Sequence, residues 1–222
     1  MKKTNYFFLS AVIVLFAFTY TGCKKSSSTD TTTGGNPTPM GDVGNTFMGS
    51  ITGMTNFSAI IKSNTNGVST IGCTGTITDP AMKTVVGLLN SNSLMNINPS
   101  TGVFTVDLKV KFTDTGIVEY FSKDGSGSTL SSFSEVVGAK YTCKNAEGQT
   151  YTREVTAKST IDDYPYNSMY IKTTTIKELS TFRGIDRIEY RTNHKFGLVN
   201  ITVYLQDGSS YSFPIYSTKL NQ

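Results

Sequence analysis

Apolar and polar residues alternate with a period of two along much of the chain, which is typical of β-strands with one buried face. In residues 103–112 one face carries five apolar side chains, namely Phe104, Val106, Leu108, Val110 and Phe112. Residues 198–205 repeat this alternation, and an Asp207-Gly208 turn signal follows before the chain returns through residues 211–215. The pattern therefore predicts strands in all three segments.

Turn signals rich in Asn and Gly indicate two further hairpins. One pairs residues 57–62 with 70–77 across Asn64–Gly67, and the other pairs 141–144 with 150–155 across Asn145–Gly148. Additional strands are predicted near residues 47–52, 116–121, 169–178 and 186–192.

A helix is predicted over residues 80–90. Asp79 can cap it and Pro80 suits its first position, and apolar residues then recur at spacings of three and four. The predicted fold is all-β, mainly an antiparallel sandwich or barrel, with this one short α-helix. The alternation disfavours a parallel sheet, but it does not choose between sandwich and barrel.

The N-terminus has the order of a secretory signal peptide. Lys2 and Lys3 precede an almost wholly apolar run over residues 7–18, and small residues and Cys23 follow. The run is shorter than the roughly 20 apolar residues that a transmembrane helix needs. We therefore expect residues 1–22 to be removed.

The segment Tyr20-Thr21-Gly22-Cys23 resembles the lipobox of bacterial lipoproteins. Gly22 and Cys23 match it, while Tyr20 stands where that family usually has Leu. The resemblance implies that Cys23 becomes the acylated first residue of the mature chain. Since Lys24 follows rather than Asp, it also implies the outer membrane.

Composition then divides the mature chain into two parts. Residues 24–44 are rich in Ser, Thr, Gly and Pro, which predicts a flexible linker. With the lipidated N-terminus that the resemblance implies, this part spans residues 23–44, and a globular domain follows over 45–222. Loss of Lys2 and Lys3 leaves 18 basic residues against 16 acidic ones, so the mature protein is nearly balanced. The chain shows no dense basic patch interleaved with aromatic residues, which argues against nucleic acid as a partner.

Two cysteines remain if Cys23 is acylated. Cys73 and Cys143 each lie in a predicted strand, and an exported protein meets an oxidising environment. They either form a disulfide with each other or stay as two separate buried thiols.

Recognisable catalytic and metal-binding spacings are missing from the sequence. The single histidine and the lack of CxxC or HExxH argue against zinc, and no nucleotide-binding glycine motif occurs. We expect no cofactor and no metal.

The most distinctive polar feature is the pair Asp162 and Asp163, followed by Tyr164 and Tyr166. These residues, with His194, form the candidate ligand site, and two carboxylates beside two tyrosines could bind a sugar or a divalent cation. Alternatively, the acids lie in a polar loop, and His194 lies in a surface connection between two strands.

Residues 151–163 and 185–208 resemble a family of envelope lipoproteins with no assigned activity. That resemblance implies a β-rich envelope protein and no mechanism. We therefore expect a lipid-anchored module that binds a glycan, a small molecule or another envelope protein without turnover. The alternatives are a hydrolase using carboxylates such as Asp162 or Asp163, and a structural subunit of a surface assembly.

Overall fold

A computed structural model describes residues 21–23, 34–49, 53–79, 95–120, 127–145, 150–179, 185–206, 208 and 210–219. The strands in chain order are β1 (Thr21–Cys23), β2 (Thr46–Gly49), β3 (Met54–Thr65), β4 (Val68–Ile77), β5 (Met95–Ile97), β6 (Val103–Thr113), β7 (Gly116–Glu119), β8 (Ser128–Ser132), β9 (Lys140–Asn145), β10 (Thr150–Lys158), β11 (Tyr164–Tyr166), β12 (Met169–Ile171), β13 (Thr174–Leu179), β14 (Ile185–Asn193), β15 (Gly197–Leu205) and β16 (Ser210–Lys219). Among the described residues, no helix is long and apolar enough to cross a membrane.

Fourteen of these strands form a single antiparallel sheet that curls into a nearly closed barrel. Its order is β1-β9-β10-β13-β14-β15-β16-β2-β3-β4-β6-β7-β8, and β5 pairs with β6 beside this path. Strands β11 and β12 form a separate hairpin. The all-β, antiparallel prediction is confirmed, and the architecture is barrel-like.

The predicted pattern of faces is also confirmed for β6. Phe104, Val106, Val110 and Phe112 are buried, whereas Thr105, Asp107 and Lys109 are exposed. Both predicted hairpins form, β3 with β4 and β9 with β10. In the first, Asn66 and Gly67 both have positive φ, as a tight two-residue hairpin turn requires.

Strand β16 joins the two halves of the barrel. Its first part, Ser210–Pro214, pairs with β15, and its second part, from Ile215 onward, pairs with β2. The change of partner coincides with Pro214, which has no N–H to donate to a strand ladder. The C-terminal strand therefore lies between the C-terminal and N-terminal halves of the chain.

The structure bears differently on the predicted helix and on the predicted linker. The helix expected over residues 80–90 lies outside the described residues. The linker expected to run to residue 44 ends earlier, because the segment from Gly34 onward packs on the barrel. Within it a 3₁₀ turn, Pro39–Gly41, buries Met40, and the Gly41 carbonyl accepts hydrogen bonds from Asn64 and Ser69.

A buried arginine holds the two ends of the sheet together. Arg153 on β10 is 1% exposed, and its Nε lies 2.8 Å from Glu178 Oε2 on the neighbouring β13. Its Nη1 lies 3.3 Å from Glu119 Oε1 on β7 and 3.2 Å from the Thr129 carbonyl oxygen on β8. One guanidinium thus bonds to strands near both ends of the sheet.

Aromatic rings complete the surroundings of this guanidinium. The rings of Tyr151 and Tyr190 lie 5.7 and 5.5 Å from its central carbon, and the Tyr190 hydroxyl donates to Glu178 Oε2 at 3.1 Å. Burial alone would lower the pKa of Arg153, but Tyr151, Glu178 and Glu119 outweigh it and raise that pKa well above its ordinary value. The guanidinium therefore stays charged.

Hydroxyl and lysine contacts reinforce the seam of the barrel, the line along which β8 meets the other end of the sheet. Ser131 on β8 and Thr192 on β14 share a buried hydrogen bond of 2.9 Å. Lys158 Nζ donates to the carbonyl oxygens of Phe133 and Glu135, at 2.7 and 3.0 Å. The ends of the sheet are therefore joined through side chains.

Replacing Arg153 with methionine should destabilise the fold by about 3–5 kcal/mol, because two buried carboxylates would lose their cation. Urea unfolding followed by circular dichroism measures the change. The matched control is Arg187→Met. Arg187 pairs with Asp186 and Glu189 at the surface, where such pairs contribute up to about 1 kcal/mol. Equal losses in the two variants would contradict a special role for Arg153.

Candidate functional site

The barrel encloses a partly open cavity of ≈120 Å³. Sixteen side chains line it, and apart from the thiol of Cys73 all are hydrocarbon. Five are phenylalanines: Phe47, Phe57, Phe104, Phe112 and Phe196. Protein interiors usually contain few voids larger than a water molecule, so an apolar space of this size is a candidate binding site.

The period-two alternation of β6 builds one wall of this cavity. All five of its predicted core residues, from Phe104 to Phe112, line the space. The facing positions of β3 and β4 supply Ala59, Ile71 and Cys73. Because Ala59 is small and lies opposite Cys73 in the strand register, this stretch of wall leaves room inside the barrel.

Half-buried lining residues indicate where the cavity opens. Phe57, Leu198 and Ile215 line it yet keep part of their surface in solvent. Phe57 packs over Gly49, where an added Cβ would lie 3.1 Å from its ring, and Gly49 is paired with Ile215. The 3₁₀ turn closes another part of the barrel, since Met40 packs close to Gly197 and belongs to the same core.

Cys73 is a buried free thiol in the cavity wall. Burial first, and then the charge of Asp107, raises the pKa of this thiol to about 12. A nucleophilic cysteine needs a lowered pKa, so Cys73 serves as a small apolar wall residue rather than a nucleophile.

Neither alternative expected for Cys73 and Cys143, a bridge between them or two separate thiols, is found, because Cys73 is free whereas Cys143 is disulfide-bonded. The two lie far apart in the sheet order, Cys73 on β4 and Cys143 on β9. The residue opposite Cys143 in the strand register is Cys23 on β1.

The acid pair lies at the surface, in the loop before β11. Asp162 and Asp163 are both exposed, and Asp163 accepts a hydrogen bond from Ser159 at 2.6 Å. Among the described residues, no group of three or more His, Cys, Asp or Glu side chains could hold a metal ion. The pair thus has the geometry of the polar loop that the sequence also allowed.

The two predicted tyrosines occupy one face of the β11–β12 hairpin but have different surroundings. Tyr164 is half-buried, with the guanidinium of Arg191 4.6 Å from its ring centre. Tyr166 is buried, and its hydroxyl accepts a hydrogen bond from the Ser217 N–H at 2.8 Å. Its ring centre lies 4.7 Å from that of Phe196, a residue of the cavity wall. Tyr166 therefore supports the cavity from outside.

His194 lies exposed in the turn between β14 and β15, the surface connection that the sequence allowed as an alternative. The side chain of the preceding Asn193 accepts hydrogen bonds from the N–H groups of Lys195 and Phe196 and so shapes this turn. Within the described part of the chain, no hydrogen bond or ion pair joins His194 to the acid pair or to the two tyrosines.

Comparison of the chain with protein-family models, with curated proteins and with solved structures finds no match.

The buried thiol predicts a loss of stability in alkaline solution. From about pH 8.5, the ordinary value for a cysteine, up to about 12, the unfolded chain releases the Cys73 proton while the folded chain keeps it. The contribution of the protonated Cys73 thiol to the free energy of unfolding is therefore fully present below about pH 8.5 and falls as the pH rises. Urea unfolding at pH 8, 9 and 10 should show a decline that is shallower in Cys73→Val, by up to about 1.4 kcal/mol per pH unit. Parallel declines in both proteins would refute the assignment.

Proposed function

We propose that this chain is a lipid-anchored envelope protein whose barrel binds a small apolar ligand in its interior without chemical turnover. The observation that carries the binding proposal is the ≈120 Å³ cavity lined by hydrocarbon side chains. Such a wall offers no general acid, base or nucleophile with a suitable pKa, whereas it favours apolar groups by desolvation. The alternative function, a hydrolase that uses carboxylates, has less support, because Asp162 and Asp163 lie exposed in a surface loop.

The anchor proposal is supported by the lipobox-like segment that ends at Cys23. Ten residues, 24–33, separate Cys23 from Gly34, where the packed part of the chain begins. At full extension they span at most about 35 Å, which would keep the barrel close to an outer-membrane surface.

Acylation has a consequence for the remaining cysteines. The sulfur of Cys23 can carry either a thioether to a lipid or a disulfide, but not both. In the acylated protein Cys143 would lose a partner at Cys23, and Thr21 and Gly22 would leave β1.

A second candidate, the structural subunit, is favoured by the position of β1. This strand covers the edge of β9 and also contacts β8, so it fills the seam of the barrel. Its removal would leave the backbone of β9 open to a strand from a neighbouring protein. The cavity has no part in that function, and we place it second for this reason.

Metabolic labelling with a fatty-acid probe tests the anchor. We expect label on the wild-type protein and none on Cys23→Ala, because the acylated sulfur is removed. After denaturation the labelled mature protein should show two titratable thiols, those of Cys73 and Cys143. A protein without lipid that shows one thiol would instead indicate a disulfide at Cys143 and contradict the anchor.

Extraction of the native protein tests binding. The protein purified from envelopes should release a small apolar molecule into organic solvent, detected by mass spectrometry at a molar ratio near one. Ala59→Leu should release much less, because leucine fills the wall opposite Cys73. Val155→Ile is the matched control, since Val155 lies in a different core cluster. An empty wild-type protein, or equal amounts from all three, would count against a ligand.

A further inference from the structure

The cavity wall limits which part of a ligand can be buried. Among the lining side chains, only the Cys73 thiol has a polar hydrogen, and it is a weak donor. The backbone groups of β4 and β6 pair with each other along the wall. A buried hydroxyl, amide or charge would therefore lose its water without gaining a partner. The buried part of the ligand must be hydrocarbon.

The volume limits how much hydrocarbon can enter. A dry apolar protein cavity of about 150 Å³ holds one benzene molecule. A space of ≈120 Å³ therefore has room for roughly five carbon atoms. A whole long-chain lipid does not fit within it.

The open side allows the rest of the ligand to stay outside. The half-buried lining residues, including Phe57, Leu198 and Ile215, connect the enclosed space to solvent. A chain can pass this opening with its end buried and its polar group in water. A compact ring would fill the enclosed space without using the opening.

Because of these three constraints, and building on the proposed binding function, we propose that the cavity takes roughly the terminal five carbons of a single alkyl chain. The ligand is then an amphiphile with a hydrocarbon tail and a polar head at the opening. Its chain can come from a free amphiphile or from a membrane lipid.

A chain-length series of 1-alkanols tests this proposal. The protein is the mature chain with Cys23→Ser, which keeps every described residue except Thr21, Gly22 and the replaced Cys23. Calorimetry from butanol to decanol should show Kd falling about fourfold for each added methylene. The fall should stop at about five carbons, when the enclosed space is full.

Filling the wall provides the variant test. In Ala59→Leu the Kd for hexanol should rise at least tenfold, while thermal unfolding shows that the barrel remains folded. Ala59→Val, a smaller filler, should have an intermediate effect and serves if leucine overpacks the core. Val155→Ile is the control and should leave the Kd unchanged.

Three results would overturn the proposal. These are a Kd that keeps falling through decanol, a Kd for hexanol that is the same in a folded Ala59→Leu, and binding of benzene without binding of hexanol. In the last case the protein still binds a ligand, so the proposed function survives while the alkyl chain is rejected.

A second arm identifies the source of the chain. Binding of hexanol without uptake of phospholipid from phosphatidylethanolamine vesicles would indicate a free amphiphile. Uptake from vesicles that is reduced in Ala59→Leu would indicate a membrane lipid. Both results support an alkyl chain in the cavity.

Discussion

The ion network around Arg153 decides how this barrel is closed. Neighbouring strands elsewhere are joined by backbone ladders, but β8 meets the other end of the sheet through side chains, with Arg153 bound to Glu178 on one side and Glu119 on the other. Removing a charge from water is costly, and the paired carboxylates and tyrosine rings offset that cost. Since these polar groups satisfy one another, a charged network can be buried in the same interior as the hydrocarbon-lined cavity.

The strands with one buried face could be predicted, because alternation and turn residues act locally. β6, β15 and both hairpins are clear in the sequence for this reason. β8 was missed, since Ser128–Ser132 is mostly serine and threonine, although all five residues are buried. Arg153 lies between Tyr151 and Val155 on the inward face of β10. The alternation could have placed it inside, but a charged residue there is explained only by partners distant in sequence.

The candidate site was predicted less well than the fold. The five inward residues of β6 are predicted as a buried face, but a packed core and a hollow one have the same alternation. Asp162 and Asp163 are conspicuous in the sequence because they are adjacent acids. Distances in space, however, decide whether such groups converge on a ligand. A bridge between Cys73 and Cys143 looked possible in the sequence for a similar reason. Strand order, and not residue type, determines which thiols can meet.

The central position of β16 determines when the barrel can form. Its pairing with β2 brings Thr46 next to Lys219, so the two halves of the sheet join only after β16 has been synthesised. Contacts between residues so far apart in sequence lose the entropy of loop closure before favourable interactions compensate for it, which slows folding. Until then β2 and β15 each have an unpaired edge, and a chaperone that covers these edges would protect the protein from aggregation.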